Sequence, residues 1–238
     1  MNNHLRTVLY GFLTPFLFSL FINNSFCAES KTSKLQSPIA LYGKEIEFDV
    51  YRNGEKVGFH KVNFFDQANR LKVTSEFVLN IKILFITAYR FNYRSQSIWS
   101  DGVLSEINVI VDDNGETFSL SGSRAGGKMV ITKGNEDYQA NVPLFPTNHW
   151  NAEVLNKEVV LNTLTGELNR VKIIRGKKTK IPTEHGQIEA QHFSYTGDLD
   201  TQVWYDPKGR WVGMEFLGHD GSSIRYHCRQ CLGSAPLN

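Results

Sequence analysis

The feature that most constrains the fold is an alternation of apolar and polar side chains through residues 71–99. The odd-numbered positions, from Leu71 to Trp99, are aliphatic, aromatic or small hydroxyl side chains, whereas the even-numbered positions carry the charges. A period of two places alternate side chains on opposite faces of a β-strand. One strand of this length would measure roughly 90 Å, which exceeds a globular domain. The pattern therefore predicts two long antiparallel strands that share one apolar face.

The alternation breaks where Leu84, Ile86 and Ala88 make both faces apolar, and we expect the chain to reverse direction there. The half before the break, through residue 85, is aliphatic and is predicted to be hydrophobic core. The half after the break mixes aromatic rings with serines. An apolar surface with a few polar groups is typical of a ligand site, so we expect a ligand to bind on this second half.

Residues 1–28 have the composition of a secretory signal. Arg6 precedes an apolar run, and a polar segment follows that run. A membrane-spanning helix needs about 20 apolar residues, so this run is short for an anchor. We expect cleavage near Cys27 and export to the periplasm. A retained anchor and lipidation of Cys27 are the alternatives.

The remaining chain is predicted to contain a polar tether (residues 29–42), one β domain (residues 43–231) and a C-terminal tail (residues 232–238). A chain of roughly this length buries about 70% of its unfolded surface in one core and needs no disulfide scaffold. The sequence has 26 basic and 24 acidic residues, which gives no electrostatic reason to bind nucleic acid. No later run is apolar enough to span a membrane.

Turn signals divide the predicted domain into roughly a dozen short strands. Asn53-Gly54, Asp101-Gly102 and Asn114-Gly115 are pairs that close tight hairpins. The one helix of consequence is predicted over residues 148–155. We interpret the basic run at residues 175–180 as a solvated loop in preference to a binding patch. The predicted fold class is mainly β, an antiparallel meander that forms an open or incomplete β-barrel with one short helix.

Catalytic and metal-binding motifs are absent from the sequence. His227, Cys228 and Cys231 offer three soft ligands, but a zinc cage normally needs a fourth. No nucleophile elbow, phosphate-binding loop or dinucleotide fingerprint occurs. The C-x-x-C motif does not follow a βαβ pattern, as it does in redox enzymes, so we predict that Cys228 and Cys231 form a local disulfide. We predict no catalytic residue, no metal and no cofactor.

Aromatic side chains near the second long strand and near the C-terminus are the candidate ligand-binding set, although core packing explains them equally well. A curved sheet with one helix need not fill its concave side, and an apolar hollow is the usual form of a binding site. The predicted ligand-binding residues are Tyr89, Phe91, Tyr93, Trp99, His149, Trp150, Trp204 and Trp211.

The His149-Trp150 pair has two interpretations. In the first, the pair closes one end of a ligand cavity. In the second, which we favour, Trp150 fills the core and His149 is exposed or caps a helix.

Two stretches resemble an exported bacterial family. The first is Pro-Thr-Asn-His-Trp-Asn from Pro146, followed by Leu-Asn-Thr-Leu-Thr-Gly-Glu from Leu161. The second is Val-Trp-Tyr-Asp-Pro-Lys-Gly-Arg-Trp-Val from Val203, followed by Phe216 and by Asp-Gly-Ser-Ser-Ile-Arg-Tyr from Asp220. Together they are similar to family 6134 of the domains of unknown function. The resemblance implies no known activity and carries no catalytic residue.

The predicted layout is also distantly similar to the periplasmic lipoprotein carriers, in which helices cover the concave side of an incomplete barrel. This is an analogy of fold alone, and the carriers have several helices where we predict one.

Three functional hypotheses follow. The leading hypothesis is an exported, non-enzymatic periplasmic protein that binds a lipid or another apolar small molecule on the concave face of the half-barrel. The second is a structural or protein-interaction module of the cell envelope that adds a partner strand at an open sheet edge. The third is a hydrolase or isomerase that uses His149 with a nearby carboxylate.

Overall fold

Fourteen strands pair in one sheet in the computed structural model, which describes residues 37–83 and 85–233. The predicted signal, the predicted tether as far as residue 36 and the predicted tail from residue 234 lie outside the described residues. In chain order the strands are β1 (Glu45–Arg52), β2 (Glu55–Gln67), β3 (Arg70–Ile83), β4 (Ile86–Ser100), β5 (Val103–Asp113), β6 (Glu116–Ala125), β7 (Lys128–Lys133), β8 (Glu136–Asn141), β9 (Val159–Asn162), β10 (Glu167–Thr183), β11 (Gly186–Gly197), β12 (Thr201–Tyr205), β13 (Trp211–Leu217) and β14 (Ser223–Gln230).

The sheet is an incomplete barrel, as predicted. Strands β1 to β8 form one half in chain order, β14 to β9 form the other, and the halves meet where β1 pairs with β14. The end strands β8 and β9 have no ladder between them in the described part of the chain. Side chains span this seam instead: the Tyr138 hydroxyl donates to the Gly166 carbonyl, and the Lys133 ammonium lies 3.7 Å from the Glu167 carboxylate.

The long alternating segment forms the hairpin of β3 and β4, as predicted. The ladder pairs Val73 with Ser97 and Phe77 with Tyr93, so the odd-numbered positions share one buried face. The prediction of core through residue 85 is wrong at its end, because Phe85 is 99% exposed. The ladders with β2 and β5 end at Leu79 and Phe91, so no neighbouring strand pairs with this part of the hairpin.

The three predicted hairpin turns are confirmed. Both residues of Asn53-Gly54, Asp101-Gly102 and Asn114-Gly115 have positive φ. This is the backbone of the two-residue turns whose twist matches that of the strands.

The described residues contain one short α-helix, which lies away from its predicted position. Helix α1 is Pro38–Tyr42, within the range predicted as tether. Proline is favoured in the first turn of a helix because the amide hydrogen that it lacks would have no partner there. Tyr42 is 1% exposed, so the end of this helix is part of the core.

The predicted helix at residues 148–155 is replaced by a short 3-10 helix, Ala152–Asn156. An α-helix starting at residue 148 would use the main-chain carbonyls of His149 and Trp150. In the structure both carbonyls accept hydrogen bonds from buried tyrosine hydroxyls. The Glu153 amide donates to the Asn151 side chain, which caps the 3-10 helix.

The basic run at residues 175–180 belongs to β10, so the predicted solvated loop is wrong. A bulge in the ladder with β11 places two residues of β10, Gly176 and Lys177, opposite a single residue of β11, His192. Residues 174–180 are all exposed. A strand without a dry face has no apolar alternation, and this is why the sequence pattern did not reveal it.

We predict that Gly58→Ala destabilises the protein by about 2 kcal/mol or more, as expected for steric overpacking. The added Cβ would lie 1.8 Å from the Val78 carbonyl oxygen, and backbone cannot move aside as a flexible side chain can. Urea denaturation measures the effect. Gly127→Ala is the matched control, because its Cβ meets no atom within 4 Å. Equal stability of the two variants would contradict the prediction.

Candidate functional site

The concave side of the sheet is occupied by residues 142–158, which connect β8 to β9 and which we call the inner segment. The Trp150 ring lies 5.2 Å from that of Trp99 on β4, and the His149 ring lies 5.7 Å from that of Trp211 on β13. Strands β4 and β13 belong to opposite halves of the sheet. A segment that contacts both halves lies between them and fills the space in which a ligand was predicted.

Buried tyrosine hydroxyls hold the backbone of the inner segment. Tyr42 donates to the Trp150 carbonyl at 2.9 Å, and Tyr205 donates to the His149 carbonyl at 2.7 Å. Burial raises the pKa of both phenols, so they stay protonated and act as donors. Tyr93 donates to the Asn148 side chain at 3.2 Å, which adds a third attachment.

Six of the eight predicted ligand-binding residues are buried in this core. They pack with the inner segment and with neighbouring core side chains. Two surface depressions, of about 240 and 390 Å³, lie elsewhere, beside Tyr51 and His227, and none of the eight residues lines them. The six buried residues are Phe91, Tyr93, Trp99, His149, Trp150 and Trp211.

The other two predicted residues lie apart from this group. Trp204 lies on the opposite face of β12, where its ring is 5.1 Å from that of His192 and its Nε1 donates to the Thr179 hydroxyl at 3.0 Å. Tyr89 is partly exposed on β4, beyond the point at which the β3–β4 hairpin leaves the sheet.

Trp150 fills the core, but His149 is neither exposed nor a helix cap, because it is 1% exposed and Asn151 caps the 3-10 helix. Neither of its ring nitrogens has a hydrogen-bond partner among the described residues. A general base must lie within hydrogen-bonding reach of the proton that it removes. The geometry therefore gives no support to a hydrolase or isomerase centred on His149.

His60 is a second buried histidine, and the sequence analysis did not single it out. Its Nε2 lies 2.7 Å from the Ser75 hydroxyl, and within the described structure its Nδ1 has no partner. The available signal was its position on β2, because His60 has the same parity as the buried Val62 and Phe64.

Burial lowers the pKa of His60 to about 3 and that of His149 to about 4. The neighbouring His149 adds a smaller lowering effect on the pKa of His60. Both rings are therefore neutral at neutral pH, and charging either one would place a cation among aromatic side chains.

The two most exposed large apolar side chains among those described lie at the outer end of the β3–β4 hairpin. The last pair with β2 is Gly58–Leu79, and the last pair with β5 is Phe91–Asp113. Beyond these pairs the two strands contact only each other in the ladder. We call residues 80–83 and 85–90 the projecting ribbon.

Two large apolar side chains end the projecting ribbon: Phe85 is 99% exposed and Ile86 is 73% exposed. Lys82, Thr87 and Ala88 beside them are also exposed. On the β4 side, residues 86–89 extend beyond Arg90, the last residue held by β5 and its turn, by roughly 13 Å. The ribbon thus presents an apolar end beyond the end of β5.

The base of the projecting ribbon is fixed to the β5–β6 turn. The Asn114 amide donates to the Arg90 carbonyl at 2.8 Å, and the Arg90 guanidinium lies 3.8 Å from the Asp112 carboxylate. Partial burial and then a hydrogen bond to the Asp113 carboxylate raise the pKa of Tyr89. Tyr89 therefore stays protonated and donates to this carboxylate, which braces the ribbon.

Cys228 and Cys231 are joined by a disulfide in the structure, with Cα atoms 5.7 Å apart, and both are buried. No group of three or more potential metal ligands occurs among the described residues. The described part of the chain also contains no helix with the length and apolar character needed to cross a membrane.

We predict that the free energy of unfolding falls between pH 6.5 and pH 4. The unfolded chain binds protons at His60 and His149 near pH 6.5, whereas the folded chain binds them only near pH 3 to 4. The contribution of these histidines to the free energy of unfolding is therefore fully present above pH 6.5. As the pH falls below 6.5, the free energy of unfolding decreases by about 1.4 kcal/mol per pH unit for each histidine. Urea denaturation at several pH values measures this slope.

The variant His149→Gln cannot take up this proton and should remove about half of the histidine contribution to the slope. His185→Gln, at an exposed position, is the control for the loss of one histidine. An unchanged slope in His149→Gln would show that this ring does not govern acid sensitivity.

Comparison with solved structures gives a similar barrel-like fold. The crystal structure of a β-barrel-like protein of the domain of unknown function DUF1849 from Brucella abortus superposes with a TM-score of 0.57 and 12% sequence identity. The match covers 80% of this chain and 97% of that one. At this identity the likeness shows the fold alone.

No curated protein matches the chain. A family model described as "Domain of unknown function (DUF6134)" matches residues 48–229, from β1 to β14. The match covers more than half of the chain and includes both stretches that carry the resemblance seen in the sequence. The chain therefore belongs to the DUF6134 family.

Proposed function

We propose that this is an exported, non-enzymatic periplasmic protein that binds lipid, and that it contacts a lipid bilayer through the end of the projecting ribbon. The observation that carries the proposal is the exposure of Phe85 and Ile86 at the tip of a hairpin that extends beyond the end of β5. The predicted signal at residues 1–28 supports export.

The packing of the interior favours the ribbon over the concave face as the lipid contact. A ligand on the concave face would have to displace the inner segment, including the buried Trp150 and Val154. Each fully buried apolar side chain contributes about 1.5–3 kcal/mol, and the tyrosine hydrogen bonds would also be lost. Phe85 and Ile86 are already exposed, so lipid binding at the ribbon requires no such displacement.

The size and shape of the exposed surface favour a bilayer over a protein partner. Phe85 and Ile86 present on the order of 300 Å² of apolar surface. A specific protein–protein interface uses about 800 Å² on each partner and needs complementary shape. Insertion into the boundary between headgroups and acyl chains needs only an apolar element that reaches about 5–10 Å deep, and the overhang provides this length.

The expected strength is that of reversible docking. Two buried apolar side chains contribute about 3–6 kcal/mol, comparable to a single acyl anchor, which binds membranes only marginally. Lys82 is exposed and adds about 1 kcal/mol near an anionic surface. Arg90 adds less, because its charge is shared with Asp112.

We predict that the protein binds vesicles of phosphatidylethanolamine and phosphatidylglycerol, and that Phe85→Ser/Ile86→Ser weakens binding at least about tenfold. The reason is the loss of two large apolar side chains that are exposed at the tip of the ribbon. Vesicle co-sedimentation measures the bound fraction. Circular dichroism checks that the variant is folded, which is expected because neither side chain packs in the core.

Leu217→Ser is the matched control, because Leu217 is a large apolar side chain that is 70% exposed at the end of β13. It should leave vesicle binding unchanged. Absence of vesicle binding by the unmodified protein, or equal binding by the ribbon variant, would overturn the proposal.

A further inference from the structure

One edge of β10 is open along much of its length. Strand β11 pairs with β10 from Val171 to Thr183. On the other side β9 ends opposite Arg170, and the next backbone pairing along that edge is Thr183 with Cys228. Residues 172–180 make no ladder on this side with any strand of the described chain.

The open edge carries a concentration of positive charge. Five of the nine residues from 172 to 180 are basic and none is acidic. The Lys178 ammonium is paired with the Glu189 carboxylate at 3.0 Å. The exposed Ile174 adds an apolar side chain, which is 44% exposed. The five basic residues are Lys172, Arg175, Lys177, Lys178 and Lys180.

Charge on an edge strand usually prevents pairing between copies of the same chain. Two copies joined at this edge would place lysines and arginines opposite one another, and like charges in opposed positions destabilise a strand pair. A strand rich in acidic residues would gain from the same charges. The edge therefore favours an added strand with acidic side chains over a second copy of the same basic strand.

We propose that residues 172–180 of β10 bind an acidic, extended segment of a partner protein, which adds to the sheet as a further strand. Unpaired backbone groups supply the hydrogen bonds, and the basic side chains select the partner. An anionic surface that has no peptide groups would match the positive charges of the edge, but it would leave the backbone groups of β10 without hydrogen-bond partners. The proposal is independent of lipid docking, because the projecting ribbon belongs to β3 and β4.

The test uses two fluorescent peptides with the same charge and blocked ends. One alternates glutamate with valine, and the other alternates glutamate with proline and so lacks half of its amide donors. The first should bind with saturable fluorescence anisotropy and should slow amide hydrogen exchange within residues 172–180. The second should bind at least about tenfold more weakly, because proline cannot sustain a ladder.

The variant Arg175→Glu/Lys177→Glu should weaken binding of the glutamate–valine peptide at least about tenfold, because attraction becomes repulsion. Arg124→Glu/Lys128→Glu, at exposed positions on the β6–β7 hairpin, makes the same change in net charge elsewhere and should have little effect.

Equal binding of both peptides would show that charge alone acts, and this would overturn strand addition. Protection of residues 172–180 by phosphatidylglycerol vesicles but not by the glutamate–valine peptide would assign the edge to lipid and would also overturn the proposal.

Discussion

An incomplete barrel must cover its concave face, and in this protein the chain covers that face with its own inner segment. The segment contacts aromatic side chains from both halves of the sheet. Hydroxyl groups of Tyr42 and Tyr205 replace the hydrogen bonds that a helix would have made there. The architecture depends on this filling, because no ladder joins the end strands β8 and β9 in the described part of the chain.

The same filling determines where the protein can interact with other molecules. A ligand in this interior would have to displace buried side chains such as Trp150 and Trp211. Interaction is therefore expected at features that the sheet leaves unpaired, namely the apolar end of the projecting ribbon and the basic edge of β10. The filled interior also lowers stability in one respect, because ring nitrogens of the buried His60 and His149 have no hydrogen-bond partner among the described residues.

Much of the fold could be predicted because its strands have one dry face and its hairpins close through asparagine–glycine and aspartate–glycine pairs. The inner segment could not, since its conformation comes from tyrosines more than 50 residues away. The exposure of Phe85 was not predicted, because an apolar side chain in an alternating segment is expected to be buried when the positions of the neighbouring strands are unknown. The edge of β10 was missed because a strand exposed on both faces has no periodic pattern.

The pairing of β1 with β14 has a consequence for assembly. It joins Val50 to Tyr226, so the first and last strands of the domain are neighbours at the centre of the sheet. Most other ladders join hairpin partners, which can form while the chain is still incomplete. Contacts between distant parts of a sequence form slowly, because a long loop must close first. The two halves can therefore become one sheet only after β14 is available, so a chain that ends before β14 could pair the strands of each half but could not join the halves.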